Sequence, residues 1–121
     1  MEEKLREKDK GEEARYKLAE EQAFKIRARR NKLIGLRIAA EGRLAEAAAG
    51  VYAAGVVRAS LDFRNDDEFV AYLSEECAGL SVAMDADALR VALDEAAKEA
   101  FRQIVGEHPH ALDDDHERVG G

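Results

Sequence analysis

Large apolar side chains are nearly absent from the first twenty residues and recur at helical spacing from Phe24 onward. Between residues 2 and 20 Leu5, Tyr16 and Leu18 are the only large apolar side chains in a stretch dominated by acids and bases. Acid-to-base pairs four residues apart (Glu2 with Arg6, Glu13 with Lys17, Glu21 with Lys25) each favour helix by about 0.2–0.5 kcal/mol. A segment this polar has nothing to bury against a core. It reads as a mobile or frayed helical arm over residues 1–20.

From Phe24 the pattern becomes amphipathic. Phe24, Ala28, Ile34 and Ile38 share one strip, flanked by Leu33, Leu36 and Ala40, which predicts the buried half of a first helix from about residue 12 to Glu41. Such a helix is about 45 Å long at 1.5 Å per residue. Gly42 and Arg43 mark its break. A second helix is expected over 45–60, with a stripe of Ala48, Val51 or Tyr52, Gly55, Val56 and Ala59, whose small members suit close backbone approach. Asn65 is a good N-cap with Glu68 at the third helical position. It opens a third helix over 66–79 that carries Phe69, Tyr72 or Leu73, Cys77 and Leu80 and ends at Gly79. Asp85 caps a fourth, over 85–105, with Leu89, Leu93, Ala97, Phe101 and Ile104. Gly106 is placed to close it, and Pro109 forbids continuation. The expected shared core is Leu33, Leu36, Val56, Phe69, Leu73, Leu89, Leu93, Phe101 and Ile104.

These elements predict an all-α fold: a four-helix bundle with a long first helix and a mobile N-terminal arm. The expected units are the arm (1–20), the helical bundle (21–106) and a disordered acidic tail (107–121). Composition refines the picture. Of the 121 residues 46% are apolar but only 6% aromatic, and much of the apolar share is alanine, so close helix contact must replace side-chain bulk. The net charge of −7 is unevenly spread. Residues 23–40 hold six bases and no acid, whereas residues 61–121 hold sixteen acids and five bases. A basic belt followed by an acidic half argues against nucleic acid, whose phosphates the second half would repel. The belt suits the chain's own acidic half or an acidic protein partner.

Candidate chemistry is sparse. His108, His110 and His116 accompany Asp113, Asp114 and Asp115 in the tail, but their spacing fits no closed metal site, so no metal is expected. Cys77 falls on an apolar stripe with no base near it in sequence, which reads as packing and not as a nucleophile. The single cysteine excludes an internal disulfide. Carboxylate pairs such as Glu75–Glu76 and Asp94–Glu95 are neighbours in sequence and so point about 100° apart on a helix, unlike a shared acid–base site. No phosphate loop or dinucleotide fingerprint is present. An enzyme is not expected, and no catalytic residue is assigned. The absence of an export-type apolar stretch or a membrane-length run points to a cytoplasmic protein with no membrane insertion.

The run Ala28-Arg29-Arg30-Asn31-Lys32-Leu33-Ile34-Gly35-Leu36 resembles ARRNKLLGLW, the hallmark of the zeta inhibitor-subunit family of alphaproteobacterial F-type ATP synthases. Upstream, Tyr16, Glu20, Glu21 and Phe24 match that family's aromatic-and-acid spacing. Downstream, residues 52–59 are similar to its YAKEVVKAD segment and Asp66-Asp67-Glu68-Phe69-Val70 to its GDEDVF segment. The resemblance implies a regulatory subunit, monomeric when free and peripheral to the inner membrane through the ATP synthase. Its N-terminal helix would enter the catalytic head and block ATP hydrolysis. The inhibitory contacts would fall on Leu5, Arg6, Lys8, Lys10, Glu12, Arg15, Tyr16 and Leu18, and the family motif on Arg29, Arg30, Asn31, Lys32, Gly35 and Leu36. No cofactor is required, although the resemblance also implies ATP or ADP binding on the bundle. The alternative is a non-inhibitory bundle that binds adenine nucleotide or serves as a protein-interaction adaptor. The chain departs from the family's FDDRExAFE arm: Leu5 replaces the first aromatic residue, Gly11 interrupts helix continuity and Glu12 replaces the second phenylalanine. Arg37 stands where the motif has tryptophan.

Overall fold

A computed structural model describes residues 2–107 as four helices: α1 Glu2–Glu41, α2 Glu46–Ser60, α3 Asp66–Gly79 and α4 Ala86–Glu107. Side chains are described from residue 19 to residue 106, so the expected tail histidines lie outside the description. No strand occurs among the described residues.

The elements follow their local signals with informative exceptions. Helix α1 begins at Glu2, ten residues before the expected start, and passes through Gly11 without a break. One glycine costs a helix about 1 kcal/mol, a penalty that cooperative propagation through a proline-free segment absorbs. Asn65 caps α3: its Oδ1 accepts from the Glu68 amide at 2.9 Å, and Glu68 Oε1 accepts from the Arg64 amide at 2.9 Å. Asp85 caps α4 through the Ala88 amide at 2.8 Å. The helix ends differ from expectation. Gly42 and Gly79 keep negative φ, and the left-handed residues are Arg43 (φ 62°) and Ser81 (φ 57°). In both ends the following amide reaches back five residues, Leu44 to the Ala39 carbonyl and Val82 to the Cys77 carbonyl, which is the Schellman closure. A Cβ at Gly42 would make ordinary van der Waals contact with Leu80 and Val82 at 3.4 Å, so this end of α1 lies against the end of α3. Helix α4 runs through Gly106 to Glu107.

Long-range pairs set the topology. Gly35 of α1 lies against Ala53 of α2, Arg30 of α1 meets Asp66 at the start of α3, and Gly42 lies by Leu80 just past the end of α3. Arg37 meets Glu95 and Arg29 meets Gln103, so α4 runs antiparallel to α1. The core joins Ile34 and Ile38 to Val56, Phe69, Val70, Leu73, Cys77, Leu89 and Leu93. Six of the nine expected core residues are buried: Val56, Phe69, Leu73, Leu89, Leu93 and Ile104. Leu33 and Leu36 are half-buried.

Phe24 and Phe101 correct the reading, being 59% and 57% exposed. Both lie where a facing helix has run out. Helix α2 stops at Ser60, which lines a groove together with Phe24, Ala28 and Asn31, and no further turn of α2 covers Phe24. Helix α3 starts at Asp66, which lines a depression with Asp94 and Ala97, one turn short of Phe101, and Phe101 faces outward.

Candidate functional site

The segment from Arg27 to Gly35 sits where α1 meets the other three helices, and most of its polar groups are committed inward. Arg30 is the centre of this arrangement. Its Nη1 and Nη2 donate to the two carboxylate oxygens of Asp66, each at 3.1 Å, and its Nε donates to Asn31 Oδ1 at 2.9 Å. The guanidinium also lies 5.8 Å from the Phe69 ring centroid. A planar fork matches a carboxylate in two bonds at once, a geometry that lysine lacks. The Arg30 hydrogen bonds hold the Asp66 carboxyl below the usual carboxylate range, against the opposite push of partial burial. Because Asp66 is the first residue of α3, its negative charge also faces the positive end of the helix dipole. Arg29 donates from Nη1 to Gln103 Oε1 at 2.7 Å, tying α1 to α4. Asn31 is 4% exposed.

Gly35 is the point of closest approach. A Cβ there would stand 2.9 Å from the Ala53 Cα and 3.2 Å from Val56, so α1 and α2 touch backbone to backbone. Of the small residues expected to make this contact on α2, Ala48 is exposed and Gly55 faces open space. Beneath the arginine, Phe63, Phe69 and Tyr72 pack with ring centroids 5.2–6.2 Å apart. Tyr52 OH donates to Glu76 at 3.0 Å, and burial together with that bond raises its pKa. Burial also pushes the Cys77 thiol up, consistent with a packing cysteine.

The surface of the same region carries two adjoining depressions. A polar cleft of about 400 Å³ is lined by Arg27, Arg64, Asn65 and Phe63 together with the Arg30–Asp66 pair. An apolar groove lies between Phe24 and Leu61. Lys32 and Arg27 are exposed. Among the described residues no group of histidine, cysteine and carboxylate side chains could hold a metal, and no helix is long and apolar enough to cross a membrane.

A family model described as ATPase inhibitor subunit zeta matches residues 1–103. The chain belongs to that family. No curated protein and no solved structure matches it. The zeta match spans all of α1 and α4 up to the residue that binds Arg29. Within the family motif, Arg29, Arg30, Asn31 and Gly35 are brought together as the joint between helices, Leu36 is half-buried beside them and Lys32 faces out. The proposed contact residues of the arm, Leu5, Arg6, Lys8, Lys10, Glu12, Arg15, Tyr16 and Leu18, all lie on α1, where side chains are not described. Sequence reasoning missed Asn31 as a buried polar residue and Asp66 as the partner of Arg30. The available signal was the match between a basic belt without acids and an acidic third helix start. It indicated pairing but not which residues pair.

Proposed function

We propose that this protein is a regulatory subunit of the F-type ATP synthase that blocks ATP hydrolysis by inserting the N-terminal part of α1 into the catalytic head. The observation that supports this is the unequal length of the helices around Arg29. Beyond Gln103, its partner, α4 continues for four residues to Glu107, about 6 Å. In the same direction α1 continues for 27 residues, from Ala28 to Glu2, about 40 Å. Helix α2 ends nearer still. Among the described residues, much of α1 therefore has no other helix beside it, and its mixed charges with three apolar anchors suit an interface between other subunits.

A helix wedged beside a rotating shaft is tightened by one sense of rotation and expelled by the other, so hydrolysis stops while synthesis continues. Leu5, Tyr16 and Leu18 supply the apolar contacts, and Arg6, Lys8, Lys10, Glu12 and Arg15 the charged ones. Replacing Leu5, Tyr16 and Leu18 together by alanine should abolish inhibition of the matching enzyme's ATP hydrolysis while leaving the thermal unfolding of the bundle nearly unchanged. Undiminished inhibition would contradict the proposal. Amide shifts around Arg27, Phe63 and Arg64 on adding millimolar ATP or ADP, with no inhibition of hydrolysis, would instead favour the nucleotide-binding bundle.

A further inference from the structure

Phe24 and Leu61 are 59% and 68% exposed, and between them runs a groove floored by Ala28, Val57 and Phe63. Its origin is the mismatch in helix ends. The α1 strip of Phe24, Ala28, Asn31 and Gly35 faces α2, and α2 stops before the strip does. The rim is cationic. Arg27 lines both the groove and the adjoining cleft. Arg64 has an 89% exposed side chain, which among the described residues makes a 3.6 Å surface contact to Glu68. The carboxylate that lines the cleft, Asp66, is already held by Arg30. This is a basic spot on a chain whose net charge is −7.

We infer that the groove is a second contact with the partner of the arm, and that it takes an acidic segment of the catalytic head bearing one aromatic or branched aliphatic side chain. The inference rests on the inhibitor reading above. The apolar side chain covers Phe24 and Leu61, and the flanking acids meet Arg27 and Arg64, exposed charges that strengthen encounter and register more than final affinity. A second copy of this chain is a poorer occupant, because two copies would bring like-charged rims together. The contact lies six residues from Leu18 on the same helix. Holding α1 there fixes the direction in which the arm leaves the bundle and raises its effective concentration at its own site.

The test uses the full chain with Phe24→Ala and Leu61→Ala combined, and separately Arg27→Glu. Each variant is titrated against ATP hydrolysis by the matching synthase at two ionic strengths, with circular dichroism to check the fold. The Phe24/Leu61 variant should raise the half-inhibitory concentration about tenfold, the size of one lost interface anchor, and Arg27→Glu should raise it by less, through slower encounter, each with the same maximal inhibition at saturation. Arg27→Glu should also flatten the salt dependence. Half-inhibitory concentrations within about twofold of the wild type would overturn the inference, at the level where a contact contributes nothing measurable. A wild type that neither binds nor inhibits would remove the inhibitor reading and this contact with it. Inhibition lost in the arm variant but unchanged in the groove variants would remove the contact alone. A wild-type dimer dispersed by the Phe24/Leu61 variant would give the groove to a second copy. Groove signals that move when Asp113, Asp114 and Asp115 are changed to asparagine would give it to the chain's own C-terminal segment. Either result overturns the inference.

Discussion

At Gly35 an added methyl group would meet the backbone of Ala53, which no rotamer change can relieve. Gly35→Ala should therefore destabilise the bundle by about 1–3 kcal/mol, although alanine is the better helix former by about 1 kcal/mol. Gly50 and Gly55 face open space on α2, so alanine there should stabilise by up to about 1 kcal/mol each. Urea unfolding of the three variants checks the opposite signs; a uniform response would mean that close approach is not what Gly35 supplies. Arg30 and Asp66 give a pH signature. A carboxyl whose folded pKa is depressed adds stability above its ordinary value of 3.8 and loses it as pH falls through the lower folded value. The stability gap between wild type and Asp66→Asn should be present at pH 7 and shrink below about pH 4. A gap that persisted at pH 3 would place the effect of Asp66 outside its charge.

At the scale of the elements, the caps are local and were readable as such. Asn65 followed by Glu68, and Asp85 before the fourth apolar stripe, each form the expected bond to the backbone. Asn65→Ala should cost about 1 kcal/mol, measured by chemical denaturation; no loss would mean that α3 is started by its packing alone. The C-terminal ends were less legible. Glycines predicted the neighbourhood of each end, but Arg43 and Ser81 take the left-handed turn. Composition signals where a helix can stop, whereas the residue that turns is set by the bond that closes the end, here Leu44 to the Ala39 carbonyl and Val82 to the Cys77 carbonyl. The start of α1 was misjudged for a related reason. A segment with nothing to bury gives no periodic signal, so Gly11 carried too much weight.

For the whole molecule, the apolar stripes gave the helix count and most of the core, because burial of one face is a property of each helix. They could not show how far each helix is covered, which depends on where its neighbours begin and end. Phe24 and Phe101 were misplaced on that account. Leu73, fully buried, should lose about 2–5 kcal/mol on replacement by alanine, whereas Phe101→Ala should lose under about 1 kcal/mol. Comparable losses in thermal unfolding would mean that Phe101 is covered. The basic belt was legible as a pairing surface, and Arg30 with Asp66 and Arg37 with Glu95 are such pairs. That the family motif would form the joint between helices was not legible from spacing.

The central claim is that α1 extends past its bundle to engage a partner. The direct measurement is ATP hydrolysis by the matching synthase with the full chain and with residues 1–20 removed, the bundle's fold being verified by its helical signal. The full chain should suppress hydrolysis and leave synthesis running, and the shortened chain should leave both unaffected. Equal hydrolysis with the two proteins would contradict the account.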